Sequence, residues 1–250
     1  MVDQPPQTRY QHKPFYGSSH TWAIDILDPR PLGSESAILD IGTGAGYFGH
    51  YFEQRGVPLR VGVEIDEQAR AHCAPCYSRM VASLDALLSE PEGSYDGVFD
   101  VVLLLDVLEH IANPFEFLTR VTPLLKPKGI VLISVPNIAH WSIRLSLLAG
   151  YFEYTERGIL DRTHLHFFSR RHFRQLCNAN PELRLLSSSA SIVPLELLLP
   201  ESLRHAAPFR WFAFIRKAAA VTLPNLFGYQ HLAVLERKQP HASPDRTNAR

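Results

Sequence analysis

The short apolar run Ala37–Ile41 passes without a spacer into Gly42-Thr43-Gly44-Ala45-Gly46, and the residues after it, Tyr47–Arg55, have helical spacing and stop at Gly56. A strand that turns through glycines directly into a helix opens a βαβ unit. The glycines allow a tight turn and close approach of a ligand, and the helix N-terminus favours a negative group. The alternation then continues. Leu59–Val63 reads as a strand ending on Glu64, Glu67 to about Cys73 as a helix, and Arg79–Ala82 as a short strand. Val98–Leu105 is apolar except for Asp100, which suits a strand buried on both faces. Asn113 caps a helix that runs from Pro114 to Leu125, and Gly129–Val135 is a fifth strand. The expected class is α/β, a doubly wound parallel sheet with helices on both faces.

Beyond Pro136 the pattern changes. A short helix at Ile143–Ala149 leads into an aromatic and charged stretch, Tyr151–Phe168, and Ser169 caps a helix to about Asn178. Leu183–Ser191 and His231–Arg237 read as strands, with a Leu-, Phe-, Trp- and Arg-rich segment between them. Ser18 or Ser19 caps a short helix through Trp22–Leu27. Basic and acidic residues balance at 25 each, but residues 1–140 hold 10 basic and 17 acidic residues and 141–250 hold 15 and 8. A zero net charge argues against non-specific nucleic-acid binding, and the basic rear favours an anionic substrate or surface there. There is no 18-residue apolar run, no apolar leader in Met1–Tyr16, and only 3 cysteines. A cytoplasmic location is the expectation.

Gly44-Ala45-Gly46-Tyr47-Phe48-Gly49 matches the dinucleotide fingerprint, with Glu64 after the next strand. Asp40 opposes an NAD reading, because an acid two residues before the first glycine would repel a pyrophosphate; it suits a ligand carrying an ammonium group. The ordered set AILDIGTGAGYFG, VGVEID, FDVVLLLDVLEHIANP and LLKPKGIVLISVPN resembles the successive motifs of class I S-adenosylmethionine (SAM)-dependent methyltransferases over roughly residues 35–137. The later GYFEYTERGILDRTHLHFF is similar to a bacterial subgroup associated with polysaccharide or secondary-metabolite pathways. The resemblance implies a Rossmann-like methyltransferase fold, with a seven-stranded mixed sheet whose last strand is antiparallel, a helical lid and a C-terminal insertion. It implies SAM as cofactor. Asp40, Gly42, Thr43, Gly44, Gly46 and Tyr47 would surround its methionine part, with Leu105 and Asp106 beside that end. Glu64 would accept from both ribose hydroxyls, Ile65 would pack on adenine, and Ser83, Leu84 and Asp85 would border it, although the family often has an acid where Ser83 stands.

A sulfonium methyl is already activated, so the protein's work is to align a nucleophile and exclude water. A hydroxyl acceptor also needs a base. Candidates are His164, His110 and Asp161; if Asp161–His164 is locally helical, the carboxylate shares a face with the imidazole and raises its basicity. His166 alternates with His164 and ranks below it, and no set with zinc spacing is present. Asp106 could instead cap the next helix. The Cys73–Cys76 pair matches a redox C-x-x-C but sits on a Pro-interrupted helix after the second strand, which argues against that role. Residues 203–217 read as a basic amphipathic helix, suited to capping the site or forming a seam between two copies, ahead of touching a membrane. The expected organisation is a tail and short helix at 1–33, a SAM-binding domain at 34–237 with a lid at 140–180 and an insertion at 194–228, and a disordered tail at 238–250. The expected function is methyl transfer to a small-molecule, sugar-like or lipid-linked acceptor at oxygen. The alternatives are an NAD-dependent oxidoreductase and a silent module that keeps the fold.

Overall fold

The computed structural model describes residues 16–89, 95–193 and 207–239. The strands are β1 Ala37–Ile41, β2 Leu59–Val63, β3 Arg79–Val81, β4 Phe99–Leu105, β5 Leu125–Pro136, β6 Leu183–Ala190 and β7 Gln230–Arg237. They form one sheet in the order β3-β2-β1-β4-β5-β7-β6. β1 to β5 pair in parallel, and β7 runs antiparallel between β5 and β6. The helices are α1 Ser19–Leu27, α2 Tyr47–Gln54, α3 Glu67–Cys73, α4 Leu84–Leu88, α5 Pro114–Val121, α6 Trp141–Leu148, α7 Arg170–Ala179, α8 Ala207–Thr222 and α9 Pro224–Phe227.

The continuous apolar runs serve two cores, because successive side chains of a strand point to opposite faces. Val101 and Leu103 of β4 join Ile130 and Leu132 of β5 against Phe48 and Phe52 of α2 and Trp22 of α1. Val102 and Leu104 join Val131 and Ile133 against Leu118 of α5 and Phe173 and Leu176 of α7. The chain winds outward from β1 to β3 and then returns to place β4 on the other side of β1. That reversal opens a crevice at the carboxyl ends of β1 and β4. Helix starts follow their caps: Ser18 Oγ accepts from Thr21 N–H at 3.0 Å, and Asn113 Oδ1 accepts from Glu116 N–H at 3.2 Å.

Two of the boundary differences from the sequence expectation have a clear structural cause. The helix expected over 114–125 ends at Val121, followed by a 3-10 turn at Thr122–Leu124. The fifth strand begins at Leu125, although Pro127 and Gly129 read as breakers. Leu125 pairs with Phe99, and the register shifts before Val101 pairs with Ile130. A bulge with Lys128 at φ 68° absorbs the proline, and Lys126 Nζ reaches Asp100 at 2.8 Å. Residues 1–15 of the expected N-terminal tail, 240–250 of the tail expected at 238–250, and 194–206 of the 194–228 insertion lie outside the described residues; the rest of that insertion is mainly α8 and α9. Among the described residues no helix is long and apolar enough to cross a membrane.

Candidate active site

The crevice is a cavity of about 1190 Å³ at the carboxyl ends of β1, β2 and β4, walled on its outer side by residues 156–164. Asp40, Gly42, Thr43, Gly44, Tyr47, Glu64, Ile65, Ser83, Leu84, Leu105 and Asp106 all line it, as do His110, Asp161 and His164. Gly46 does not. It takes φ 77° at the start of α2, and a Cβ there would meet Cys73 Cβ at 2.7 Å. Its freedom serves the turn and the α2–α3 contact rather than ligand approach, a correction to its expected role.

At the closed end, Asp40 is buried. Burial pushes its carboxyl up to about 7; Tyr77 O–H, donating to it at 2.5 Å, pulls the other way, and Glu64 adds repulsion. Glu64 is also buried and divides its oxygens: Oε2 accepts Gly44 N–H and Oε1 accepts Asp66 N–H, both at 3.0 Å. The carboxylate therefore fixes both the glycine loop and the turn into α3. Each oxygen keeps lone-pair capacity for a further donor. Ile65, beside it, is 86% exposed, an apolar side chain held open on the cavity wall.

At the open end, His110 and His164 meet edge to face with ring centroids 4.9 Å apart. His164 Nδ1 lies 3.2 Å from the Ile159 carbonyl, and His110 Nδ1 lies 3.2 Å from the Thr163 carbonyl. A carbonyl only accepts, so each Nδ1 carries the proton and Nε2 is the nitrogen able to take one. Burial, then repulsion from His110, lowers the His164 pKa, while the Ile159 carbonyl and Asp161 oppose that shift. Residues 161–164 are not helical: Asp161 bridges Thr155 and a turn follows at Arg162–Thr163. The Asp161 carboxylate accepts from Thr163 N–H at 2.9 Å and Thr163 O–H at 2.7 Å. The expected helical face is thus absent: Asp161 shapes the loop, and a backbone carbonyl orients His164. His166 faces away, its Nε2 3.0 Å from the Ala112 carbonyl. Sequence spacing showed no metal set, yet Glu109, His110 and His164 bring one potential ligand atom each within 4.8 Å of one another. Residue 164 joins the pair only through the fold.

Other candidates acquire different local roles. Asp106 caps no helix. It sits at φ 59°, its N–H donating to the Ser134 carbonyl at 3.1 Å, and its carboxylate accepts from Ser134 O–H at 2.7 Å and from Gln230 Nε2. Ser83 Oγ caps α4, accepting from Ala86 N–H at 3.1 Å, and Asp85 pairs with Arg120. The Cys73 and Cys76 thiols are buried, with pKa values pushed up mainly by burial, and they contact Thr43 Oγ1 at 3.2 Å and His50 Nε2 at 2.9 Å. Inert thiols of this kind are packing. Three contributors were invisible in the sequence. Tyr77 reaches Asp40 from 37 residues away, Gln230 reaches Asp106 from 124 away, and His20 of α1 stacks on Tyr47 at 5.6 Å.

The site fits SAM on its donor set: a buried carboxylate for an ammonium group at one end, a second carboxylate on the next strand, an apolar side chain beside it and a loop of glycines between. Comparisons with known proteins agree. Ubiquinone biosynthesis O-methyltransferases of Caulobacter vibrioides and Roseobacter denitrificans are 31% identical over 134 and 149 residues, covering 51% and 56% of this chain and 50% and 56% of theirs. The chain thus matches about half the length of these curated relatives. A SAM-dependent methyltransferase from Archaeoglobus fulgidus superposes with a TM-score of 0.55 at 21% identity, over 90% of this chain and 96% of that one. The [4+2]-cyclase SpnF superposes equally well, at 0.55 with 13% identity over 88% of this chain and 81% of its own. A family model described as a methyltransferase domain matches residues 21–180. Family and fold imply S-adenosylmethionine as the cofactor, and the chain belongs to the methyltransferase-domain family.

Proposed function

We propose that this chain transfers a methyl group from SAM to a hydroxyl oxygen of a small-molecule or lipid-linked acceptor, with His164 as general base. The observation that carries the reading is one cavity with carboxylates at its closed end and an imidazole pair at its mouth. Bound SAM supplies a sulfonium-activated methyl. Asp40 would receive the ammonium group, the Gly42–Gly44 backbone would hold the methionine part, Glu64 would take the ribose hydroxyls, and Ile65 and Leu84 would pack on the adenine. The acceptor enters over the His110–His164 pair at the cavity mouth. His164, kept neutral by its lowered pKa, would take the acceptor hydroxyl's proton on Nε2 and so leave that oxygen ready to receive the methyl. The names of the curated relatives support oxygen as the atom methylated. The exposed apolar face of α8 supports contact with a membrane surface or a second copy, and three free, buried cysteines support a reducing, cytoplasmic setting.

Titration calorimetry with SAM, S-adenosylhomocysteine and NAD in parallel tests the cofactor site. Binding of the first two alone is expected; binding of NAD alone would reverse the reading. His164→Ala should leave SAM affinity unchanged and slow methyl transfer by about 100-fold. The wild-type rate should fall as pH drops through the lowered imidazole pKa, and this limb should vanish in the variant. An undiminished rate would return His164 to packing. SAM binding without turnover on any hydroxyl acceptor would favour another use of the fold, as the SpnF superposition illustrates.

A further inference from the structure

Helix α8 is inside-out. Its inward stripe is Ala213, Arg216, Lys217 and Ala220: the two alanines are buried, Arg216 donates to the Val193 carbonyl, and Lys217 Nζ donates to the Ala190 carbonyl at 2.7 Å. These two cations are spent on the end of β6. The described aromatic residues turn to water instead. Trp211 is 68% exposed and Phe214 62%, with Ile215 and Val221 on the same outward side by helical spacing. The apolar surface continues through Leu223 into α9, where Phe227 is also exposed. A row of exposed large apolar side chains along one helix face marks a contact with something apolar. Among the described side chains of α8 none lines the active-site cavity, which argues against a cap over it.

The positive charge lies next door, on α7. Arg170, Arg171 and Arg174 line an open cavity of about 830 Å³ with Gln175, Asn178 and Asn225, and no carboxylate is among its lining residues. None of the three arginines has an ion-pair partner among the described residues. The junction is direct. Arg170 N–H donates to Asn225 Oδ1 at 3.3 Å, and Asn225 is in α9, two residues before the exposed Phe227. A guanidinium cluster with no ion-pair partner among the described residues, beside an exposed aromatic helix, is complementary to one kind of surface, an apolar layer with anionic head groups. An isologous pair of chains would instead bring two copies of the same positive patch into one interface.

We infer that α7, α8 and α9 form a docking face for an anionic lipid surface, with Trp211 and Phe214 entering the apolar layer and Arg170, Arg171 and Arg174 holding lipid phosphates. This rests on the membrane-contact reading of α8 and adds to it the source of the charge. The arginines expected to provide it from α8 itself point inward or fall outside the described side chains.

Flotation of the full chain with vesicles tests it. Wild type should float with phosphatidylcholine containing phosphatidylglycerol, poorly with phosphatidylcholine alone, and less as salt is raised. Replacing Arg170, Arg171 and Arg174 together by Gln should weaken binding to the anionic vesicles by about 100-fold, from the contribution of a basic residue at such a surface. Trp211→Ser with Phe214→Ser should reduce binding to both vesicle types. Arg171→Glu alone gives the same direction should the triple variant fold poorly, and unchanged SAM titration serves as the folding control. Equal binding of wild type and the arginine variants to both vesicles would sink the arginine inference while leaving the α8 contact standing. Displacement by inorganic phosphate beyond that by chloride at matched ionic strength would reassign the cluster to a soluble phosphate compound. No flotation, with a sedimenting dimer abolished by Trp211→Ser and Phe214→Ser, would overturn both and assign the face to a second copy.

Discussion

Asp40 holds its proton up to about pH 7 because it is buried, and a bound ammonium group would make it release that proton. SAM binding near pH 6 should therefore expel most of one proton per ligand, read as a dependence of calorimetric heat on buffer ionisation enthalpy. Asp40→Asn should remove that dependence. Glu64→Ala should weaken SAM binding by about 1–3 kcal/mol, through lost charge-assisted hydrogen bonds and a loosened Gly44 turn; unchanged affinity in the same titration would count against its assignment. Both acids were legible because each sits at a strand end fixed by its own neighbours. Tyr77 was not, since nothing local distinguishes a tyrosine that caps a core from one that bonds a carboxylate 37 residues earlier. Gly46 misled for the converse reason: its spacing matches a ligand loop, but its surroundings are Cys73 and the start of α2.

Single side chains also join whole elements. Asn137, fully buried just after β5, donates through Nδ2 to the Pro224 and Gly228 carbonyls at 3.2 and 2.8 Å and accepts Ala139 N–H at 3.0 Å through Oδ1. It ties the sheet to α9 and to the start of the α6 segment. Asn137→Ala would take from the buried Gly228 carbonyl its side-chain donor, while Pro224 keeps the Gly228 N–H at 3.1 Å, so a loss of about 1–3 kcal/mol is expected in denaturant unfolding. A loss below about 0.5 kcal/mol would mean that the Gly228 carbonyl finds another donor. The regular elements of the front half were legible from caps and apolar runs. Ser18 and Asn113 start their helices, and β1 and β2 occupy the expected residues. The β5 start was hidden because a bulge lets a strand pass through Pro127. The conformation of residues 149–168 was hidden because it is set by distant partners such as Glu109, whose carbonyl accepts from the N–H groups of Leu165 and His166.

For the whole molecule, acid stability is governed in part by two histidines outside the proposed chemistry. Burial lowers the pKa of His140 and of His231 to about 4, the second helped by repulsion from Arg170. Unfolded imidazoles protonate near 6.5, so between those values the unfolded chain binds more protons and stability falls as pH falls. Each should cost roughly 2 kcal/mol by about pH 5. Asp40, whose carboxyl is raised instead, contributes in the opposite sense over its own range, from 3.8 to about 7. Denaturant midpoints at about pH 5 and about pH 7 should therefore differ less in His231→Phe than in wild type. An equal difference would show that the ring is solvated.

The place of β7 has a consequence for how the chain is made. It is the last described strand, yet it lies between β5 and β6 and supplies β6's pairing to the rest of the sheet. Until Gln230–Arg237 emerges during synthesis, β5 presents an open edge, and β6 has no partner strand at all. The parallel half can collapse early on its sequential strands, whereas closure waits for pairings such as Ile130 with Glu236, more than a hundred residues apart. A ribosome stalled between residues 191 and 229 would therefore carry a bare β5 edge, which makes this the window in which nascent chains are most exposed to strand-to-strand aggregation and most dependent on chaperone cover.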